Sequence, residues 1–154
     1  MDWNAIEAIS SAIGAFGVIV TVAYLAYQIR QNTYSVQGST EQSLMSLEKD
    51  IYTLVADNAS VYRRGSEDLS ELNPDEKIQF TNIVAAEMSL FYSAYVQYQR
   101  KIISIEVWKA FERASLLQIK APGYWVAWGL IKHGYPTGFS QLIQKLEGGS
   151  GDVS

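Results

Sequence analysis

Residues of the types that bind or transform ligands are few in this chain. Its only adjacent basic residues are the pairs Arg63-Arg64 and Arg100-Lys101. Guanidinium groups match the geometry of phosphate oxygens, so the four side chains are candidates for binding a phosphate-bearing ligand such as an anionic nucleotide. As solvated helix ends, the same pairs would need no ligand, and this alternative stays open.

Catalysis is not expected from the remaining residue types. The chain has a single histidine, His133, and no motif supplies it with an activated nucleophile and an orienting acid. A histidine near the last carbonyls of a helix is the simpler interpretation. The absence of cysteine excludes disulfides, thiolate zinc sites and cysteine nucleophiles. We therefore expect no enzyme, no metal site and no cofactor.

Composition also limits the partners. The net charge of −4 argues against general nucleic-acid binding and against a polybasic surface for lipid headgroups. The segment 108–139 is rich in Trp and Tyr, which could stack a nucleobase, although packing in a core is the favoured interpretation.

The longest uncharged segment of the chain runs from Ala8 to Ile29 and predicts how the protein is attached to a membrane. As a helix its 22 residues would extend about 33 Å, against roughly 30 Å of bilayer hydrocarbon. A cleaved signal peptide is disfavoured because Asp2 and Glu7 precede the segment and no basic residue does. A soluble core helix rarely runs so far without a charge, and an interfacial helix needs a charged face. We expect a membrane span whose partner is the lipid bilayer.

The flanking charges predict an orientation. Only the acids lie on the N-terminal side, whereas Arg30 and then Lys49 follow the segment. The positive-inside rule then places the N-terminus outside and the C-terminal domain in the cytoplasm.

The predicted span has two unlike faces. At 100° per residue, small and polar side chains fall within about 50° of one line. This stripe comprises Glu7, Ser10, Gly14, Gly17, Thr21, Tyr24 and Gln28. Small residues let helices approach closely in lipid, which favours a homo-oligomer. The stripe could instead line a pore. It could also have no function, because Gly and Ser are common in membrane helices.

The sequence after the span predicts helices, because in no segment do apolar and polar residues alternate at every second position. We expect an all-α chain: a transmembrane helix with flanks over 1–32, a helical bundle of about five helices over 33–147, and a flexible tail over 148–154. One helix is expected from about Thr40 to Ala56, with Gly38 as a possible break from the span. Helix starts are expected at Asn73-Pro74, at Ser104, at Pro122-Gly123 and after Tyr135-Pro136. An apolar seam on the longest of these helices comprises Phe80, Val84, Met88, Phe91, Tyr95, Tyr98 and Ile102.

Several short motifs resemble those of a known set of proteins. The segment that leaves the span reads YLAYQIRQNT over 24–33. A Tyr-Gln-Tyr-like motif follows at 95–100, a Trp at 108, a Pro-Gly pair at 122–123 and two Trp residues at 125 and 128. The chain resembles a broad set of uncharacterised small bacterial single-span membrane proteins with a "YLAxQIRQNT" membrane exit and a cytoplasmic helical domain. The resemblance implies the bacterial inner (plasma) membrane as the location, and it brings no activity with it.

The architecture is also similar to that of membrane accessory effectors of type III CRISPR antiviral defence. This similarity implies an oligomeric, membrane-anchored effector whose cytoplasmic domain senses a ligand or partner, with a cyclic oligonucleotide as a candidate ligand, and then acts on the membrane. The alternative is a passive anchor or accessory subunit of a larger inner-membrane complex.

Overall fold

The structure is a computed structural model that describes the backbone of residues 3–148 and their side chains apart from those of 4–6 and 8–10. Six α-helices follow one another: α1 (Trp3–Asp57), α2 (Ala59–Glu67), α3 (Pro74–Gln99), α4 (Ile105–Ile119), α5 (Pro122–Ile131) and α6 (Thr137–Gly148). Two short 3-10 helices occupy Leu69–Glu71 and Lys132–Gly134. No strand occurs among these residues, which confirms the all-α prediction. Residues 149–154 of the expected tail lie outside the described part.

Helix α1 is longer than the sequence pattern indicated. It passes through Gly38 without interruption, so the possible break there does not occur. A glycine inside a helix costs only about 1 kcal/mol, which neighbouring helix-forming residues can offset. The chain divides into two compact units after Ser39, inside this helix, whereas we expected the boundary near residue 32.

The first unit consists of the apolar part of α1. Every described side chain over 11–36 is exposed. Within Ser11–Asp57 lies the one described segment that is long and apolar enough to cross a membrane, and none of that segment is buried against the rest of the chain.

Helices α3, α4, α5 and α6 of the second unit begin at the residues that the sequence predicts. The Asn73 side chain accepts a hydrogen bond from the Glu76 backbone N–H at 2.9 Å, and the Glu76 side chain accepts one from the Asn73 backbone N–H. The Ser104 hydroxyl accepts a hydrogen bond from the Val107 N–H at 3.2 Å. Since these caps satisfy N–H groups that a helix cannot satisfy itself, local sequence defines where α3 and α4 begin.

The core of the second unit is largely aromatic. Trp108 lies between two nearly parallel rings, Phe91 at 5.2 Å and Tyr98 at 5.4 Å between centroids. Trp128 and Phe139 are buried completely and contact each other edge-on. Rings of the Trp-rich segment therefore pack in the core, against rings of α3 and against one another, as expected.

Helices α2 and α5 approach so closely that glycine is required at the contact. A Cβ placed on Gly123 would lie 1.8 Å from the backbone oxygen of Gly65, and one placed on Gly65 would lie 2.6 Å from the Phe80 ring. The Pro-Gly pair at the start of α5 thus serves a tertiary contact as well as starting the helix.

Candidate functional site

A buried glutamate, which the sequence analysis missed, is the centre of the candidate site. Glu87 lies on α3 three residues after Val84 and four before Phe91, so it occupies the buried face of that helix. Its side chain is only 7% exposed. Its position within the apolar seam is a signal that the sequence contains, because a carboxylate at core spacing must be paired, protonated or functional.

Three neighbouring helices supply polar groups to the Glu87 carboxyl. The Tyr62 hydroxyl of α2 donates to Oε1 at 2.9 Å, and the Gln118 amide of α4 donates to the same oxygen at 3.0 Å. The Tyr124 hydroxyl of α5 is also close to the carboxyl group and helps to stabilise its charged form. Oxygen Oε2 is buried and accepts no hydrogen bond from any described residue. The carboxyl group is therefore only half satisfied.

Burial dominates the electrostatics of this site. It raises the pKa of Glu87 to about 7, because the charged form is poorly solvated, and the tyrosine hydroxyls offset only part of this rise. Burial beside the same carboxylate also raises the pKa of Tyr62 and of Tyr124 well above the ordinary value. Near neutral pH, Glu87 is therefore partly protonated, whereas its tyrosine neighbours stay neutral donors.

A small cavity of about 30 Å³ lies beside Glu87. Helices α1, α3 and α4 form its walls. Its polar lining comprises Glu48, Tyr52, Glu87, Ser115 and Gln118, and its apolar lining comprises Ile51, Leu90, Phe91, Phe111 and Ala114. The volume suits one or two groups the size of a water molecule. No basic side chain lines it among the described residues.

A second, larger depression borders the first. An open groove of about 450 Å³ lies between the C-terminal part of α1 and α3. Its lining comprises Leu47, Asp50, Ile51, Leu54, Ala86, Ser89, Leu90 and Ser93. Ile51 and Leu90 line both the groove and the small cavity near Glu87, so the two depressions adjoin.

The structure does not bring the two basic pairs together. Arg64 forms a two-pronged ion pair with Glu76 near the start of α3, with N–O distances of 2.5 and 3.3 Å. Arg100 and Lys101 are exposed just beyond the other end of α3, about 35 Å away at 1.5 Å per residue. Arg63 is exposed and lies 3.8 Å from a glutamate one turn later. A phosphate site made of both pairs would need a ligand of that length, so phosphate binding stays a prediction for each pair separately.

Lys101 has a structural role of its own. It adopts a left-handed backbone with φ of 57°, and its N–H donates to the Tyr98 carbonyl while the Ile102 N–H donates to that of Gln97. This is the Schellman arrangement that ends a helix, with a lysine where glycine is usual.

The predicted stripe on α1 is exposed wherever its side chains are described. Gly14 and Gly17 have open space where a Cβ would project. The Thr21 hydroxyl donates to the Gly17 carbonyl at 2.8 Å, and the Gln28 amide donates to the Tyr24 hydroxyl at 2.9 Å. Glu7 is exposed as well, whereas the Ser10 side chain lies outside the described part. The polar groups are thus partly satisfied within the helix, and the two glycines leave room for a neighbour.

Comparison with models of protein families, with curated proteins and with solved structures finds no match to this chain.

Proposed function

We propose that this chain is a single-span membrane protein that self-associates through its span and carries a cytoplasmic helical domain that senses a ligand. The observation that supports it best is the uncovered apolar segment of α1, whose described side chains over 11–36 are all exposed. Burying one large aliphatic or aromatic side chain is worth about 1.5–3 kcal/mol, so a segment of this kind needs cover. A bilayer covers most of it, because the uncharged residues Ala8 to Ile29 extend about 33 Å as a helix against roughly 30 Å of hydrocarbon.

The flanking charges and the resemblance to small bacterial membrane proteins support the bacterial inner membrane, with the N-terminus outside. Absence of native cysteine makes the topology directly testable. Cysteines introduced at Asn4 and at Ser66 should react with an impermeant maleimide from opposite sides of the membrane, Asn4→Cys in intact spheroplasts and Ser66→Cys only after lysis. Release of the protein by alkaline carbonate would overturn the membrane span itself.

Self-association is supported by the space at Gly14 and Gly17, where a Cβ would meet nothing within 4 Å. Gly14→Leu and Gly17→Leu keep the segment apolar and should abolish cross-linked oligomers, because close approach of two helices needs small residues. Ala15→Leu, which adds nearly as much bulk on the opposite side of the helix, is the matched control. Unchanged cross-linking in both glycine variants would reduce the span to an anchor.

The sensing role is supported by the composition of the Glu87 site. Its cavity is bordered by Glu48, Ile51 and Tyr52, which belong to the same helix as the apolar segment. A ligand that enters the cavity would contact α1 directly, so occupancy can favour one position of that helix over another. The cyclic-oligonucleotide variant of the proposal depends on the basic pairs. Replacing Arg63, Arg64, Arg100 and Lys101 by Glu one at a time and finding nucleotide binding unchanged would remove it.

The groove between α1 and α3 favours a second candidate, an accessory subunit that docks onto a larger inner-membrane complex. Its apolar lining includes Leu47 and Leu54, which are 49% and 39% exposed. The two candidates differ in solution. An effector should oligomerise when purified alone and should cause ion leakage when its ligand is added. An accessory subunit should be monomeric without its complex and should cause no leakage.

A further inference from the structure

The unsatisfied oxygen of Glu87 indicates a missing hydrogen-bond donor. The residue is more than nine-tenths buried, and Oε1 already accepts from Tyr62 and Gln118. Oε2 has no partner within hydrogen-bond distance among the described residues, although the Tyr124 hydroxyl lies near the carboxyl group, and a buried carboxylate normally has each oxygen satisfied. Glu87 lines the small cavity, so a donor bound there would lie against this side chain.

The lining of the cavity specifies the charge of that donor. Two carboxylates, Glu48 and Glu87, contribute to it, and no lysine, arginine or histidine does among the described residues. The other polar groups are the neutral side chains of Ser115 and Gln118 and the Tyr52 hydroxyl, which itself donates to Glu48 at 3.0 Å. A guest that brings positive charge would offset the cost of burying a carboxylate, which a neutral guest cannot do.

We propose that the Glu87 cavity binds the ammonium head of a small primary amine. An ammonium has three N–H donors and no acceptor, which suits a lining rich in acceptor oxygens. The rings of Phe91, Phe111 and Tyr52 supply aromatic surface of the kind that attracts organic cations. This assignment names the ligand class of the sensing role and rests on that proposed function.

Size separates the primary ammonium from related cations. A volume of about 30 Å³ holds one head group of water size. A trimethylated ammonium, with four carbon substituents packed around its nitrogen, exceeds that volume, and a planar guanidinium is wider than a single water. Ca²⁺ and Mg²⁺ prefer six or more oxygens, and no cluster of three acidic or histidine side chains is present in the described part of the chain.

The test uses the full-length protein in detergent micelles. Thermal unfolding is followed by fluorescence of the buried Trp108 and Trp128, at pH 8 and pH 5, with methylammonium chloride as the probe. Sodium, potassium and tetramethylammonium chlorides at equal ionic strength are the comparison salts. At pH 8, we expect methylammonium to raise Tm above the level in all three, with saturation. Because only the ionised carboxylate binds a cation, the apparent Kd should be roughly ninety-fold weaker at pH 5 for a pKa of about 7.

Variants assign the response to the cavity. Glu87→Gln keeps the shape of the side chain and should lose the methylammonium response, whereas Glu147→Gln, at an exposed position near the end of α6, should keep it. Nα-acetyl-lysine amide carries the same head on a peptide backbone. Stabilisation by it as well as by methylammonium would assign the head to a protein lysine or a free amine, and stabilisation by methylammonium alone would assign it to free small amines.

Equal Tm shifts with methylammonium and potassium, or an undiminished response in Glu87→Gln, would overturn the proposal, because the cavity would then hold only water or unspecific ions. These outcomes differ from a failure of the proposed function. A chain that spans the membrane and oligomerises without an amine response keeps that function and loses only this ligand.

Discussion

Replacing Glu87 by Gln should change the stability of the helical domain in a direction that depends on pH. The glutamine side chain can still accept the hydrogen bonds from Tyr62 and Gln118 at its carbonyl oxygen, but it cannot ionise. In the parent protein the folded state raises the Glu87 pKa from 4.5 to about 7. Between these values the folded protein holds a proton that the unfolded chain has released, so stability falls as pH rises through this window and is constant above it.

The size of the effect follows from the shift. Two and a half pKa units correspond to about 3 kcal/mol of unfolding free energy, or roughly 13 °C in Tm for a domain of about 110 residues. The parent loses this stability between pH 4.5 and 7, and the glutamine variant does not. We therefore expect the variant to match the parent near pH 4.5 and to be more stable by about 3 kcal/mol at pH 8.

The assay is thermal unfolding of the full-length protein in micelles, read by the fluorescence of Trp108 and Trp128 at half-unit steps from pH 4.5 to 8.5. The difference between variant and parent cancels the contributions of other titrating groups, including Asp68 and Glu76, whose hydrogen bonds lower the pKa of each. Glu147→Gln serves as the surface control and should give a flat difference. A Glu87→Gln difference that is independent of pH, or a variant that is less stable at pH 8, would refute the argument from burial.

Three further outcomes follow from the second unit. Gly123→Ala should destabilise the domain by about 3 kcal/mol or more, because its Cβ would lie 1.8 Å from the Gly65 oxygen. Gly129→Ala in the same helix, where a Cβ meets nothing, should instead raise stability by about 0.5–1 kcal/mol, and equal Tm values for the two variants would contradict the close α2–α5 contact. Lys101→Gly should stabilise the domain by about 1 kcal/mol in thermal unfolding, since φ of 57° is strained for lysine, and a loss of stability would show that the lysine side chain contributes more than this strain. Tyr62→Phe removes a hydrogen bond to the buried carboxylate, so the pKa of that carboxyl should rise and the pH at which stability levels off should move upward.

Local sequence determined most of the helix boundaries. The starts of α3 and α4 are predictable because Asn73 and Ser104 satisfy the free N–H groups of the first turn within three residues along the chain. The uncharged segment of α1 is equally predictable from the sequence, because its compatibility with lipid depends on its composition and length alone. The continuity of α1 through Gly38 was not predictable, because a single glycine is compatible both with a break and with a helix.

The tertiary structure decided the candidate site. The spacing of Glu87 along α3 places it on the buried face, but only the positions of Tyr62 and Gln118 make it a half-satisfied buried carboxyl. The basic pairs show the converse, since their residue types are suited to binding anions and the length of α3 holds the two pairs apart. The sequence by itself determines where helices begin and which segment is apolar enough for a membrane, because capping and hydropathy depend on residues close together in the chain. The environment of a buried charge depends on residues dozens of positions away, and packing alone brings them into contact.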